Sequence, residues 1–277
     1  MNMSTMSHLE RFRATVAREE VDRPATWLGV PDAASWPGLY ERFGTTDMAV
    51  FKEKLGDDVW TVEMPYNSPT ANAIYIALNF SKDPLSTDER TLTKPGFFEE
   101  ITDPALVSSF DWPDPVDYID PEACRQLVDE VPDGYAALGV IWSAHFQDAC
   151  SAFGMETALI NMLTEPEIFQ AVIERITEFY LRGNEVFYEA TKGKLHSVLI
   201  GNDFGSQLGP MVDPALLREF VLPGTKRLID QAKSYGLSVV HHSCGSIFEI
   251  IPDLIDVGVD VIHPIQALAA KMEPWRL

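Results

Sequence analysis

Leu237-Ser238-Val239-Val240-His241-His242-Ser243-Cys244-Gly245 sets an apolar, β-branched run directly against chelating side chains. Side chains alternate between faces along an extended chain, so His242 and Cys244 share one face and His241 takes the other. An imidazole and a thiol on one side of a strand end make half of a zinc site. Alone, an H-x-C pair is weak, because a buried strand end without metal produces it as readily. Its surroundings give it weight. A strand-like run at 258–263 follows soon after, with helical sequence at 247–256 between the two.

Upstream the same rhythm continues. Tyr135 to Trp142 and His196 to Asp203 read as apolar strands. Thr164-Glu165-Pro166-Glu167 reads as a capping box opening a long helix, with Phe169, Val172, Ile173, Ile176, Phe179 and Tyr180 on its core face and a bend at Gly183. Asp213-Pro214 caps a further helix, which Pro223-Gly224 must kink or split, since proline lacks the amide donor. Strands alternating with helices imply parallel pairing through right-handed crossovers. A parallel neighbour relation between 196–202 and 237–242 follows.

The N-terminal part is less regular. Residues 8–18 read as a helix, 22–45 as loop with a short helix, and Asp57 to Met64 and Asn72 to Phe80 as strands of a hairpin-like elaboration. Asp103-Pro104 and Asp120-Pro121 mark helix starts. The whole is expected to be one domain: 1–122 carries the elaboration and first barrel units, 123–277 the regular β/α units.

Continuous apolar strands with polar C-terminal ends suggest an α/β barrel whose reactive groups lie on that rim. The strand ends offer Trp142 and Ser143, Asn202 and Asp203, His242 and Cys244, then His263 and Gln266. A doubly wound sheet would gather the same rim, so the rim alone does not choose the fold.

Bulk properties remove several functions. The 277 residues carry a formal net charge of -21, a field that repels nucleic acid and anionic lipid. Three scattered cysteines make no disulfide framework and suit a reducing cytoplasm. The N-terminus lacks an apolar signal core, and no run is long enough to span a membrane. The expected partner is a small-molecule substrate.

The runs His242-Ser243-Cys244-Gly245-Ser246, Ile251-Pro252-Asp253-Leu254-Ile255 and Gly258 to Gln266 resemble the uroporphyrinogen decarboxylase (URO-D) superfamily. They look most like its zinc-dependent cobalamin (corrinoid) methyltransferase branch. Arg11 to Pro24 and Asn202 to Gln207 are similar to other parts of the superfamily. The resemblance implies a TIM (β/α)8 barrel. It implies zinc on His242 and Cys244, and methyl transfer between a corrinoid, free or on a partner protein, and a thiol or similar acceptor. Asp203 is expected as the catalytic acid/base or as a group orienting a zinc ligand, with Asn202, His263 and Gln266 as substrate contacts. Two departures matter. Trp27 to Tyr40 contains no Arg or Lys where true decarboxylases carry an Arg-rich grip, so uroporphyrinogen decarboxylation is the alternative activity. A non-catalytic binding protein is a third reading. The family also continues beyond the equivalent of Leu277 and takes a further cysteine ligand there, so the barrel is expected to be incomplete at its C-terminus.

Overall fold

The computed structural model describes residues 6–82 and 91–277. Among the described residues five strands form one sheet in chain order: β1 Val59–Glu63, β2 Ala136–Trp142, β3 Ser197–Gly201, β4 Ser238–His242 and β5 Val261–His263. Every neighbouring pair is parallel. This is a barrel-type α/β fold seen as an open arc, with β1 and β5 at its edges.

The helices are α1 His8–Ala17, α2 Trp36–Phe43, α3 Met48–Leu55, α4 Pro121–Asp129, α5 His145–Phe153, α6 Met155–Thr164, α7 Pro166–Ala190, α8 Pro214–Leu216, α9 Leu222–Ser234 and α10 Ile251–Asp256. The convex face of the sheet packs on them through the main core, which includes Ile141, Val198, Ile200 and Val239 with Phe146, Ile176 and Ile229. The concave face has its own cluster: Val59, Ala136, Leu138, Val140, Leu199 and Val240, with Phe12 of α1 packed among them. The strands are therefore apolar on both faces, which is why they read as continuous runs rather than alternations.

The Arg11 to Pro24 segment acquires a physical reason. Asp58, just before β1, has a fully buried side chain and accepts from Arg11, Arg23 and His8. Arg11 also pairs with Asp22 at 2.7 Å. This network ties α1 to the start of β1 and fixes Phe12 in the mouth of the concave face.

Several expectations change. The N-terminal hairpin does not form. β1 pairs in parallel with β2, and the 72–80 stretch contains only a 3-10 turn, Ile74–Ile76. Its Ile74 packs against α7 where Gly183 leaves room: a Cβ there would lie 2.7 Å from Ile74 Cδ1. Gly183 thus serves a close approach inside a continuous helix, not a bend. The capping box before α7 is also absent. Thr164 donates to the Ile160 carbonyl inside the preceding helix, so its hydroxyl is not free to cap. The break required by Pro223 appears as a π-turn, Leu217–Val221, after which the proline falls in the first turn of α9.

Candidate functional site

The C-terminal ends of β2 to β5 assemble the rim. Register sets Gly201 of β3 opposite His242 of β4, and His242 opposite His263 of β5. Gly201 is required by this contact, since a Cβ would lie 2.3 Å from the His242 carbonyl oxygen and 2.7 Å from His242 Cβ. The chain then turns at Gly245, which has φ +80°, and a Cβ there would lie 2.4 Å from the Gly205 oxygen. The two post-strand loops are thus pressed together, which brings Asp203 to the β4 end.

Asp203, His242 and Cys244 offer ligand atoms that all lie within 4.8 Å of one another. Asp203 Oδ1 is 3.3 Å from His242 Nε2 and accepts the Cys244 amide at 2.8 Å. Cys244 Sγ is 3.5 Å from His242 Nε2. The His242 side chain is 18% exposed and that of Asp203 43%, so the site is reachable from solvent. The hydrogen bond from His242, with the Cys244 amide, holds the Asp203 carboxyl below its usual range. Burial, with the Asp203 charge, pushes the Cys244 thiol up, so without a cation the sulfur keeps its proton.

His242 is fixed on two further sides. Its Nδ1 lies 3.1 Å from Nδ1 of His263, and the Trp142 ring meets it edge-on at 5.2 Å. Burial, with the neighbouring His242, pushes His263 down to about 4. The other face of His263 meets Trp27, centroids 4.9 Å apart. Trp142 and Ser143 both hold left-handed backbone, φ 65° and 48°, beside an irregularity in the β2–β3 register. Each such residue costs about 1–2 kcal/mol, a strain that persists where the surroundings over-determine it. Here it aims the indole at the imidazole.

The other expected contacts sit differently. Gln266 accepts the Gly245 amide at 2.7 Å and so pins the turn after Cys244. Asn202, expected among the substrate contacts, is only 2% exposed. Its Oδ1 accepts the Phe146 amide and its amide nitrogen meets His145, so it links β3 to α5 beneath the rim. His241 points into the core, as alternation requires, and stacks on Phe204. Phe146, Cys124 and Cys150 are core residues. Trp27 was not legible in advance, since a lone Trp in a loop carries no periodic signal. Beside Trp27 a cavity of about 350 Å³ is lined by Gly29, Trp36, Lys52, Trp60 and Glu63, among others.

Mixed nitrogen, sulfur and carboxylate donors at this spacing suit a zinc-type ion. Residues 87–268 match the uroporphyrinogen decarboxylase (URO-D) family. The chain belongs to that family. Among solved structures, a methyltransferase from Methanosarcina mazei aligns over 93% of this chain and 75% of its own, with a TM-score of 0.61 and 16% identity. That likeness speaks for the fold. No curated protein matches. No helix among the described residues is long and apolar enough to cross a membrane. This URO-D family enzyme therefore carries a three-donor cluster on the rim where its fold places reactive groups.

Proposed function

We propose that this URO-D family member is a zinc-dependent methyltransferase, moving a methyl group from a methylcorrinoid, free or protein-bound, to a thiol acceptor. The gathering of Asp203, His242 and Cys244 at one strand-end rim is the observation that supports it most. His242 Nε2 and Cys244 Sγ would hold the ion, with Asp203 as third donor or as anchor of the Cys244 amide. Zinc bound there supplies the positive charge that keeps a substrate thiol as its thiolate at neutral pH. The chain's own residues supply the rest. Trp142 and His263 fix the His242 ring, and Gln266 fixes the turn that carries Cys244. Gln266 also keeps its amide NH2 without a partner among the described residues and is assigned to the substrate, together with Asp203 as proton carrier. A cytoplasmic setting suits the three free thiols.

In the reaction the acceptor sulfur forms the S–CH3 bond as the Co–CH3 bond breaks. The bonding pair would leave with the corrinoid cobalt, which would pass from Co(III) to Co(I), and the thiol proton would pass by way of Asp203 to solvent. The test is zinc-loaded protein with methylcobalamin and β-mercaptoethanol, followed by cobalamin absorbance and thioether formation. Both products are expected from the wild type and neither from Cys244→Ala. Metal-loaded wild type that leaves methylcobalamin intact would count against the reading.

Family membership favours one second reading, decarboxylation of uroporphyrinogen or another carboxylated substrate. Residues 27–40 carry no Arg or Lys, and Lys52 in the adjacent cavity is already held by Asp57 at 2.7 Å. Carboxylates entering there would lose hydration without a partner. Efficient coproporphyrinogen formation by the purified chain would establish that reading over the first.

A further inference from the structure

The two histidines on the rim are coupled in a way the ligand cluster alone does not require. With 3.1 Å between His242 Nδ1 and His263 Nδ1, one hydrogen fits between them. Two would clash, and none would leave two lone pairs facing. When both rings are neutral, the tautomers are therefore opposed. If His242 is protonated on Nδ1, His263 is protonated on Nε2; if His242 is protonated on Nε2, His263 is protonated on Nδ1. Both states have a use. Without a cation, Nε2 of His242 faces the Asp203 carboxylate at 3.3 Å, the strongest acceptor nearby, and its proton belongs there. With a cation, Nε2 must present its lone pair, and the proton must sit on Nδ1.

We propose that His263 is a positioning residue for His242, whose Nδ1 donates to His242 Nδ1 in the metal-free protein and accepts from it once Nε2 is turned to a metal. A carboxylate at this position could only accept, and would lock one state. An imidazole serves both, because its second nitrogen takes up the proton. That nitrogen, Nε2, lies on the side of Gly29, where a Cβ would come within 3.8 Å of it and where the cavity begins. Trp27 holds the ring so that Nδ1 stays on His242. This inference rests on the metal reading for its second state and on the observed contact alone for its first.

The test uses the 277-residue chain, Zn2+ as the probe and 15N-histidine NMR. In metal-free wild type, His242 is expected in a single tautomer, protonated on Nε2, with His263 protonated on Nδ1. Zn2+ should invert both. His263→Leu keeps an apolar surface against Trp27 but no nitrogen. It should leave His242 averaging between tautomers and weaken Zn2+ binding by roughly tenfold to a hundredfold, the usual effect of losing such a partner. His263→Asn offers an amide oxygen and nitrogen where Nδ1 stood, and should recover the single tautomer and most of the affinity. Equal Zn2+ affinity in wild type and His263→Leu, or two imidazoles on the bound metal by X-ray absorption, would overturn the proposal. If the wild type takes no Zn2+, the metal site itself fails, and the metal-free spectra still decide. Averaging in the wild type sinks the role of His263; a single tautomer lost with Leu and recovered with Asn upholds it.

Discussion

Gly201→Ala is the substitution through which fold and site can be probed together. The added methyl carbon would sit 2.3 Å from the His242 carbonyl oxygen and 2.6 Å from its nitrogen. Both are backbone atoms of the neighbouring strand, so no side-chain rotation relieves the clash. β4 must move away from β3 at the residue that carries the imidazole. That strains the bond from the Asn202 amide to the His242 carbonyl, now 3.0 Å. Overpacking of this kind costs about 1–3 kcal/mol, and a weakened ladder bond adds about 1 kcal/mol. A loss of about 3 kcal/mol is expected, which lowers the urea midpoint by about 1 M at a slope of about 3 kcal/mol/M. The His242 ring signals should shift with it. Gly38→Ala is the control. Nothing lies within 4 Å of a Cβ at that position, which is inside α2, so it should raise stability by about 0.4–1 kcal/mol. A Gly201→Ala protein with an unchanged midpoint and unshifted His242 would refute the strand-contact argument.

Two further predictions concern pH. The Asp58 carboxyl is lowered to about 2: burial alone would raise it, but Arg23, the Thr26 amide, His8 and Arg11 together outweigh that cost. Its stabilisation is therefore complete above pH 4 and lost as pH falls from about 4 to about 2, worth about 2 kcal/mol. Urea unfolding against pH should show that loss in wild type and not in Asp58→Asn, which should itself cost about 1–3 kcal/mol by leaving Arg11 Nη1 and Arg23 without their charged acceptor while Asp22 still holds the rest of Arg11; identical acid profiles would contradict the network. Burial pushes the Asp148 carboxyl the other way, up to about 7, with Tyr180 bonded to it at 2.5 Å. The folded protein then holds a proton that the unfolded chain releases near pH 4, so stability falls between pH 4 and 7. Asp148→Asn should flatten that slope, and parallel profiles for the two proteins would show that Asp148 ionises normally.

How far the sequence could be read depended on how local the causes were. β2, β3 and β4 announce themselves because both faces are apolar, and their rim residues follow from where the runs stop. His242 and Cys244 on one side, with His241 turned to the core, needed only strand alternation. β1 misled because its partner lies 77 residues on, at Val59↔Ala136; nothing in Asp57 to Met64 distinguishes a hairpin from a parallel edge. Asn202 misled because rim position was taken for exposure, whereas His145 and the Phe146 amide draw it inward. Trp27 belongs to the site through tertiary contact alone, whereas Trp142 follows from where β2 stops and only its left-handed backbone was hidden. Gly183, read as a bend, records instead how closely Ile74 approaches, a fact of packing that helical periodicity does not encode.

The central claim is that Asp203, His242 and Cys244 form one metal site. It is tested most directly by titrating Co2+ into the metal-free chain and into Cys244→Ser, reading the near-ultraviolet thiolate-to-cobalt charge-transfer absorption, then displacing with Zn2+ and counting bound metal. One ion per wild-type chain, with the thiolate band present and then lost on displacement by Zn2+, and no band in Cys244→Ser, is the predicted result. Wild-type protein that binds no ion, or binds it with the same spectrum when Cys244 is replaced, would contradict the account.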